Sequence, residues 1–231
     1  MSSRKKRTAQ TIRTPAAAAP AAAPGTPAKF SRLDVLERFV VLAFYGWFFW
    51  NFGNRYLDKG EWATALALVA ESVTVFFLLI RRPASTISPS IRDWLLALAP
   101  TVIPLLVEPA ARADVLLDTF FLGPPFLIAG TLGAVVCKFA LGRSFGLVAA
   151  NRGLQVSGPY RLIRHPMYAC YIITHLGIWF ANPTLWNLGV YAVTWALQIT
   201  RIIVEEWHLS QDPAYRAYQK VVRYRLIPGV F

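Results

Sequence analysis

Five long apolar runs decide what this chain can fold into. Residues 35–53, 62–80, 94–107, 119–137 and 184–204 each read as a spanning or nearly spanning helix, since a helix rises about 1.5 Å per residue and a bilayer's hydrocarbon core is about 30 Å thick. Helices are the way such runs satisfy their own N–H and C=O groups where no water is present. A sixth run, 166–181, is shorter, roughly 24 Å as a helix. Asn182-Pro183-Thr184 then breaks the chain, so 166–204 is expected to form a helical hairpin whose first arm need not cross the whole bilayer. Composition agrees: 55% hydrophobic residues and a mean hydropathy of +0.42 are too apolar for an ordinary soluble domain. The predicted architecture is all-α, a multi-pass membrane bundle of about four spans plus the C-terminal hairpin. It divides into a tail (1–29), membrane-spanning helices (30–137) and a loop, hairpin and C-terminal segment (138–231).

The formal charge of +12 is placed in a way that argues against nucleic acid as a partner. Residues 1–29 hold Arg4, Lys5, Lys6, Arg7, Arg13 and Lys29 with no acid, inside an Ala/Pro-rich tract that cannot build a core. This tail is expected to be disordered, to lie on anionic lipid and to set topology. Pro15, Pro20, Pro24 and Pro27 break up any signal-peptide core. Arg81, Arg82 and Arg92 flank one loop, and Lys138, Arg143, Arg152, Arg161 and Arg164 occupy 138–165 without an acid. The positive-inside rule puts both on the cytoplasmic side. The stretch 54–61 is charge-balanced and 108–118 sets Glu108, Asp114 and Asp118 against Arg112, as suits the opposite side. Cys137 and Cys170 fall in or beside apolar helices with no base nearby and read as packing residues.

The polar residues that remain are concentrated near the C-terminus. In GPYRLIRHPMY, Gly158 to Tyr168, Gly158-Pro159 stops any incoming helix and Pro166 fits the first position of the next. His165 therefore sits at a helix N-terminus, where free N–H groups and the dipole favour a carboxylate, ribose or phosphate, and Arg161 and Arg164 add positive charge. On the last apolar run, Thr194, Gln198, Arg201, Glu205 and His208 are spaced by four, three, four and three residues. That spacing makes one polar stripe, which lipid would not tolerate and which must face protein or a wet cavity. Glu206 lies about 100° round the helix from Glu205. Tyr168, Tyr171 and His175 share a face of the shorter arm, which the hairpin is expected to set beside the stripe. Glu71 is an isolated acid within the second run and reads as a neutral or hydrogen-bonded contact between helices. Asp212-Pro213 is a good cap and first position for a short interfacial helix presenting Tyr215, Tyr218 and Val222 on one face. Glu205 to His208 has an E-x-x-H spacing, but one copy in a chain with three histidines does not make a metal site, and none is expected.

Taken together, GPYRLIRHPMY, the Glu205-Glu206 pair and the terminal YRAYQKVVRYRLIPGVF resemble the isoprenylcysteine carboxyl methyltransferase family of integral membrane enzymes. The resemblance covers roughly 130–231, including LGRSFG at 141–146. It implies S-adenosylmethionine as cofactor, held in a cytoplasmic, non-Rossmann pocket between the RHPMY segment, the loop before it and the C-terminal segment. His165, Tyr168, Glu205, Glu206, Tyr160 and Gly158 are the implied cofactor-binding residues, with the division between ribose hydroxyls and the methionine amine left open. Arg164 and Arg201 are candidates for holding an anionic acceptor, a prenylated cysteine or similar lipophilic molecule supplied through the bilayer. Related membrane methyltransferases act on lipid amines or small thiols. Sterol-type reductases share a similar arginine-histidine motif but use NADPH, and a non-catalytic carrier or scaffold is the alternative from another class.

The charge distribution generates a topological prediction: both termini and the 138–165 loop face the cytoplasm. Impermeant thiol labelling of a cysteine engineered at residue 150 should require access from the cytoplasmic side; labelling from the opposite side would invert the arrangement.

Overall fold

A computed structural model describes residues 31–84, 86–109, 114–148 and 150–231. The N-terminal tail and Arg112, both used in the charge reading, lie outside the described residues. Helices dominate: α1 (Arg32–Lys59), α2 (Trp62–Ile80), α3 (Ile91–Val102), α4 (Gly123–Leu141), α5 (Pro166–Ala181), α6 (Leu185–Leu209) and α7 (Pro213–Val221). Two-residue strands β1 (Thr86–Ile87) and β2 (Ala150–Asn151) pair antiparallel and tie two loops together.

Three stretches among the described residues are long and apolar enough to cross a membrane: Trp62–Ile80, Phe120–Ser144 and Leu185–Leu209. Exposed Val69, Phe76, Leu132, Val136, Phe139, Val193 and Ile203 on these helices make an outer surface suited to lipid. The bundle expected from the sequence is therefore present, with two of its runs altered. α1, at 28 residues, is long enough, but Asn51, Asn54 and Arg55 make its second half less apolar. The run 94–107 is not one helix. α3 has only 12 residues and gives way to a 3-10 turn at Ile103–Leu106, because Pro104 has no N–H to offer the carbonyl of Pro100.

α5 runs along α4, not along α6 as the hairpin reading supposed. The reason is glycine. A Cβ on Gly130 would come within 2.5 Å of Thr174 Oγ1 and 2.8 Å of the Cys170 carbonyl, and one on Gly177 within 2.9 Å of Leu127 Cα. Small residues let the two backbones touch and gain dispersion contact that lipid cannot match. α6 packs instead on α3 and meets α5 at particular points, with Tyr168 against Ile202 and His175 against Tyr191.

The start of α1 is anchored by charge. Ser31 caps it, accepting from the Asp34 N–H at 3.1 Å, and Asp34 and Glu37, both fully buried, meet Arg81 and Arg152. Arg81 Nη1 lies 2.9 Å from Glu37 Oε2, and Arg152 Nη2 lies 2.7 Å from the same oxygen and 3.0 Å from Asp34 Oδ1. Two acids and two arginines cancel, and that is what makes burial of four charges tolerable. Two of the arginines counted toward topology are thus neutralised inside the protein. The other Glu37 oxygen accepts the N–H groups of Leu147 and Val148, each at 2.9 Å, so the cluster holds the loop in place at those two residues.

Filling the α4–α5 contact should unfold this part of the molecule. Gly177→Val is expected to cost about 3 kcal/mol, read as a lowered melting temperature in detergent, whereas Gly46→Ala, at a site with open space around it, should melt within a degree or two of wild type.

Candidate functional site

The RHPMY segment builds the site by a turn followed by a helix start. Gly158 has φ +55°, a left-handed conformation that favours glycine, and opens a 3-10 turn over Gly158–Arg161. Pro166 then occupies the first turn of α5, and His165 is the residue before it. The Arg164 and His165 N–H groups donate to the carbonyls of Tyr224 and Arg225, each at 2.9 Å. The C-terminal YRLIPGVF segment is thereby zipped to the segment 60 residues before it and turns back on itself, with the Arg225 N–H donating to the Phe231 carbonyl at 2.9 Å.

One carboxylate organises these strands of chain. Glu206, 3% exposed, receives Arg164 Nε at 2.5 Å on Oε1 and Nη2 at 3.2 Å on Oε2. Arg225 Nε reaches Oε2 at 2.8 Å, and His165 Nε2 lies 3.1 Å from Oε1. The remaining Nη1 of Arg164 donates to the carbonyls of Val222 and Arg223 at 2.8 and 2.6 Å. Each of the three nitrogens of the Arg164 guanidinium is thus engaged.

Glu205, turned away by the helix pitch, faces a cleft of about 900 Å³ and accepts from the Tyr168 hydroxyl at 2.8 Å. Arg164, His165, Tyr160 and Tyr168 line the same cleft, joined by Asp212, Tyr215 and Tyr218 from around α7. Asp212 caps α7, accepting from the Ala214 N–H at 2.8 Å, and the tyrosine face of that short helix turns onto the protein. Burial pushes the Tyr218 hydroxyl up to about 12, so it stays protonated at neutral pH and donates to the Tyr160 carbonyl at 2.7 Å. Gly158 serves the turn and Glu206 the zipper; neither lines the cleft.

A second cavity of about 1370 Å³ lies against the first. The two share Gly146, Leu147, Met167 and Tyr168 as a common wall. Its lining is mainly apolar, with Phe44, Phe48 and Phe52 of α1 on one side and the expected face of α5, Tyr168, Tyr171 and His175, on another. Arg201 opens into this cavity and not into the cleft. It donates to the carbonyls of Ala97 and Leu147, and its guanidinium carbon lies 5.2 Å from the centre of the Tyr168 ring. Glu71 also lines it, accepting from Tyr45 Oη at 2.7 Å with Lys138 Nζ at 3.7 Å, the interhelical contact read from the sequence.

The stripe on α6 is therefore split between compartments: Gln198 and Arg201 serve the apolar cavity, Glu205 the cleft, and Thr194 returns its hydroxyl to the Val190 carbonyl at 2.8 Å. Sequence reasoning did not assign Asp34 and Glu37, the residues that fix the common wall. Two acids three apart at a helix start, directly after a basic tail, were the available signal.

The neighbouring acids should separate experimentally. Glu206→Gln leaves Arg164 and Arg225 without a counter-charge and is expected to cost about 3–5 kcal/mol of stability. Glu205→Gln should melt near wild type and lose about 1.5–3 kcal/mol of affinity for a cationic ligand of the cleft. Thermal melting and calorimetric titration check the two outcomes.

Residues 120–216 fit the family model described as phospholipid methyltransferase, in the same integral-membrane methyltransferase group as the isoprenylcysteine carboxyl methyltransferases. The match runs from the turn before α4 into α7, the elements that carry both the cleft and the shared wall. No curated protein matches the chain. The match and the three apolar helices together support an integral membrane methyltransferase.

Proposed function

We propose that the protein transfers a methyl group from S-adenosylmethionine, bound in the polar cleft, to the carboxylate of a lipophilic acceptor, such as a prenylated cysteine, held in the apolar cavity. The observation that carries this reading is the common wall. A polar and an apolar compartment meeting at Gly146, Leu147, Met167 and Tyr168 suit two reactants of opposite solubility.

The cleft's residues fit the cofactor. Glu205 and Asp212 offer carboxylates to an ammonium, a sulfonium or ribose hydroxyls, and Tyr160, Tyr215 and Tyr218 offer ring faces to a cation or a purine. The cofactor supplies an electrophilic methyl on a sulfonium with a neutral leaving group. In the transfer, one bond forms from carboxylate oxygen to carbon and the sulfur–carbon bond breaks, giving a methyl ester and S-adenosylhomocysteine with no proton moved. A general base is unnecessary, because the acceptor is ionised at neutral pH. What the protein contributes is alignment. Arg201 has N–H groups left beyond its two carbonyl partners, and these orient the acceptor carboxylate. Its bonds to Ala97 and Leu147 temper its pull, which matters because charge on the carboxylate is lost as the bond forms and tight pairing would favour the ground state. Arg164 acts at one remove, through Glu206.

A lipid-amine acceptor is the second reading, favoured by the phospholipid methyltransferase match. An amine has to lose a proton. Glu71, an acid in the apolar cavity, is the group placed to attract it.

Purified protein with methyl-labelled S-adenosylmethionine and a prenylcysteine analogue should yield label that mild alkali releases as volatile methanol. Alkali-stable label on a phospholipid amine would replace the ester by the second reading. Thermal stabilisation by NADPH with no response to S-adenosylmethionine or S-adenosylhomocysteine would overturn both.

A further inference from the structure

After α7 the chain carries apolar side chains that nothing among the described residues covers. Ile227 is 55% exposed and Val230 78%, and Val221 and Tyr224 before them are exposed as well. α7 spends its own apolar residues elsewhere: Tyr215 and Tyr218, with Val222 after them, are buried against the protein. The membrane contact expected of a short interfacial helix therefore does not come from that face.

Packing sets the height of the exposed residues along α6. Leu226 sits in a cluster with Ile202 and Tyr168, and Phe231 packs against it. Ile202 lies seven residues, about 10 Å, before the end of α6 at Leu209. The next residue, Ile203, is exposed on that apolar, membrane-length helix, so the 226–231 loop stands where α6 already meets lipid. The loop's donors suit that height. Pro228 has no N–H, and Gly229 closes the turn at φ +84°. The N–H groups of Arg225, Leu226 and Ile227 donate to the Phe231 carbonyl, and those of Val230 and Phe231 to the Ile227 carbonyl. Donors bonded inside the loop do not need water. Towards α7 the character changes. Residues 213–231 hold Arg216, Lys220, Arg223 and Arg225 and no acid, and Lys220 and Arg223 are exposed, with no ion pair among the described residues.

We propose that the 226–231 loop is a membrane wedge: Ile227 and Val230 enter the boundary between headgroups and acyl chains beside α6, and Lys220 and Arg223 meet the phosphates of anionic lipids there. A second copy of the chain is the wrong occupant, since like charges would face each other across the contact. The wedge stands independently of the methyl-transfer reading.

The test places full-length Ile227→Cys or Val230→Cys, labelled with a nitrobenzoxadiazole maleimide, in nanodiscs; wild type carried through the labelling is the blank for Cys137 and Cys170. Phosphatidylcholine brominated on its acyl chains should lower the emission of either label about twofold, and aqueous iodide should leave it nearly unchanged. In discs holding phosphatidylcholine and phosphatidylserine in equal amounts, with bromine on one or the other, brominated phosphatidylserine should quench about twofold more, because each surface cation favours anionic lipid. Lys220→Glu with Arg223→Glu should bring that ratio to about one. Quenching by iodide and not by brominated lipid puts the loop in water and overturns the proposal. Protection from both quenchers that disappears in discs holding a single copy shows a second chain on the loop and overturns it too. Equal quenching by the two brominated lipids in wild-type charge background sustains the wedge and overturns the role of Lys220 and Arg223.

Discussion

A carboxylate in a protein interior has to be compensated or it will protonate or unfold its surroundings. Glu206 is compensated by three groups from two separate parts of the chain, Arg164 and His165 before α5 and Arg225 after α7, and the cleft keeps its shape because those parts cannot drift apart. The side-chain bonds are backed by backbone pairing between 164–165 and 224–225. Either set alone would leave a polar group stranded if the other opened, so the two reinforce each other. This explains why a region between apolar helices can be dense in arginine without being a loose basic surface.

The opposite wall follows the same logic with different residues. Asp34, Glu37, Arg81 and Arg152 form a neutral cluster whose outlying carboxylate oxygen takes the successive N–H groups of Leu147 and Val148. Arg201 takes the carbonyl of Leu147 from the other side. The Leu147 residue is thus gripped at both its N–H and its C=O. A loop gripped in this way is a partition, and the partition is what separates the two chambers.

Much of the site was legible before any coordinates. Proline placement marked the starts of α5 and α7, and helical periodicity brought Tyr168, Tyr171 and His175 to one face and Gln198, Arg201 and Glu205 to another, because a helix's geometry is fixed by its backbone. Periodicity gives relative angles and no absolute rotation, so which member of the Glu205-Glu206 pair faced the cleft was out of reach. Hydropathy reads side chains and overlooks missing N–H groups, so it ran one helix on through Pro104, where α3 has already given way to a 3-10 turn. Counting loop charges treated Arg81 and Arg152 as solvated when acids 40 to 120 residues away bury them. Partner choice between helices was hidden too: Gly130 and Gly177 direct α5 onto α4, but a glycine in an apolar run looks the same whether it touches lipid or a backbone.

The gripped partition also has a kinetic consequence. On the proposed function, each chamber draws its occupant from a different phase, one counted in moles per litre of water and the other as a mole fraction of a two-dimensional solvent. Diluting the membrane with inert lipid should therefore starve one chamber without touching the other, and the rate would follow surface density while the volume of the suspension became irrelevant. Leu147, gripped from both sides, keeps those two reservoirs apart on that reading, and the protein then works as a contact between phases and never as a channel from one to the other.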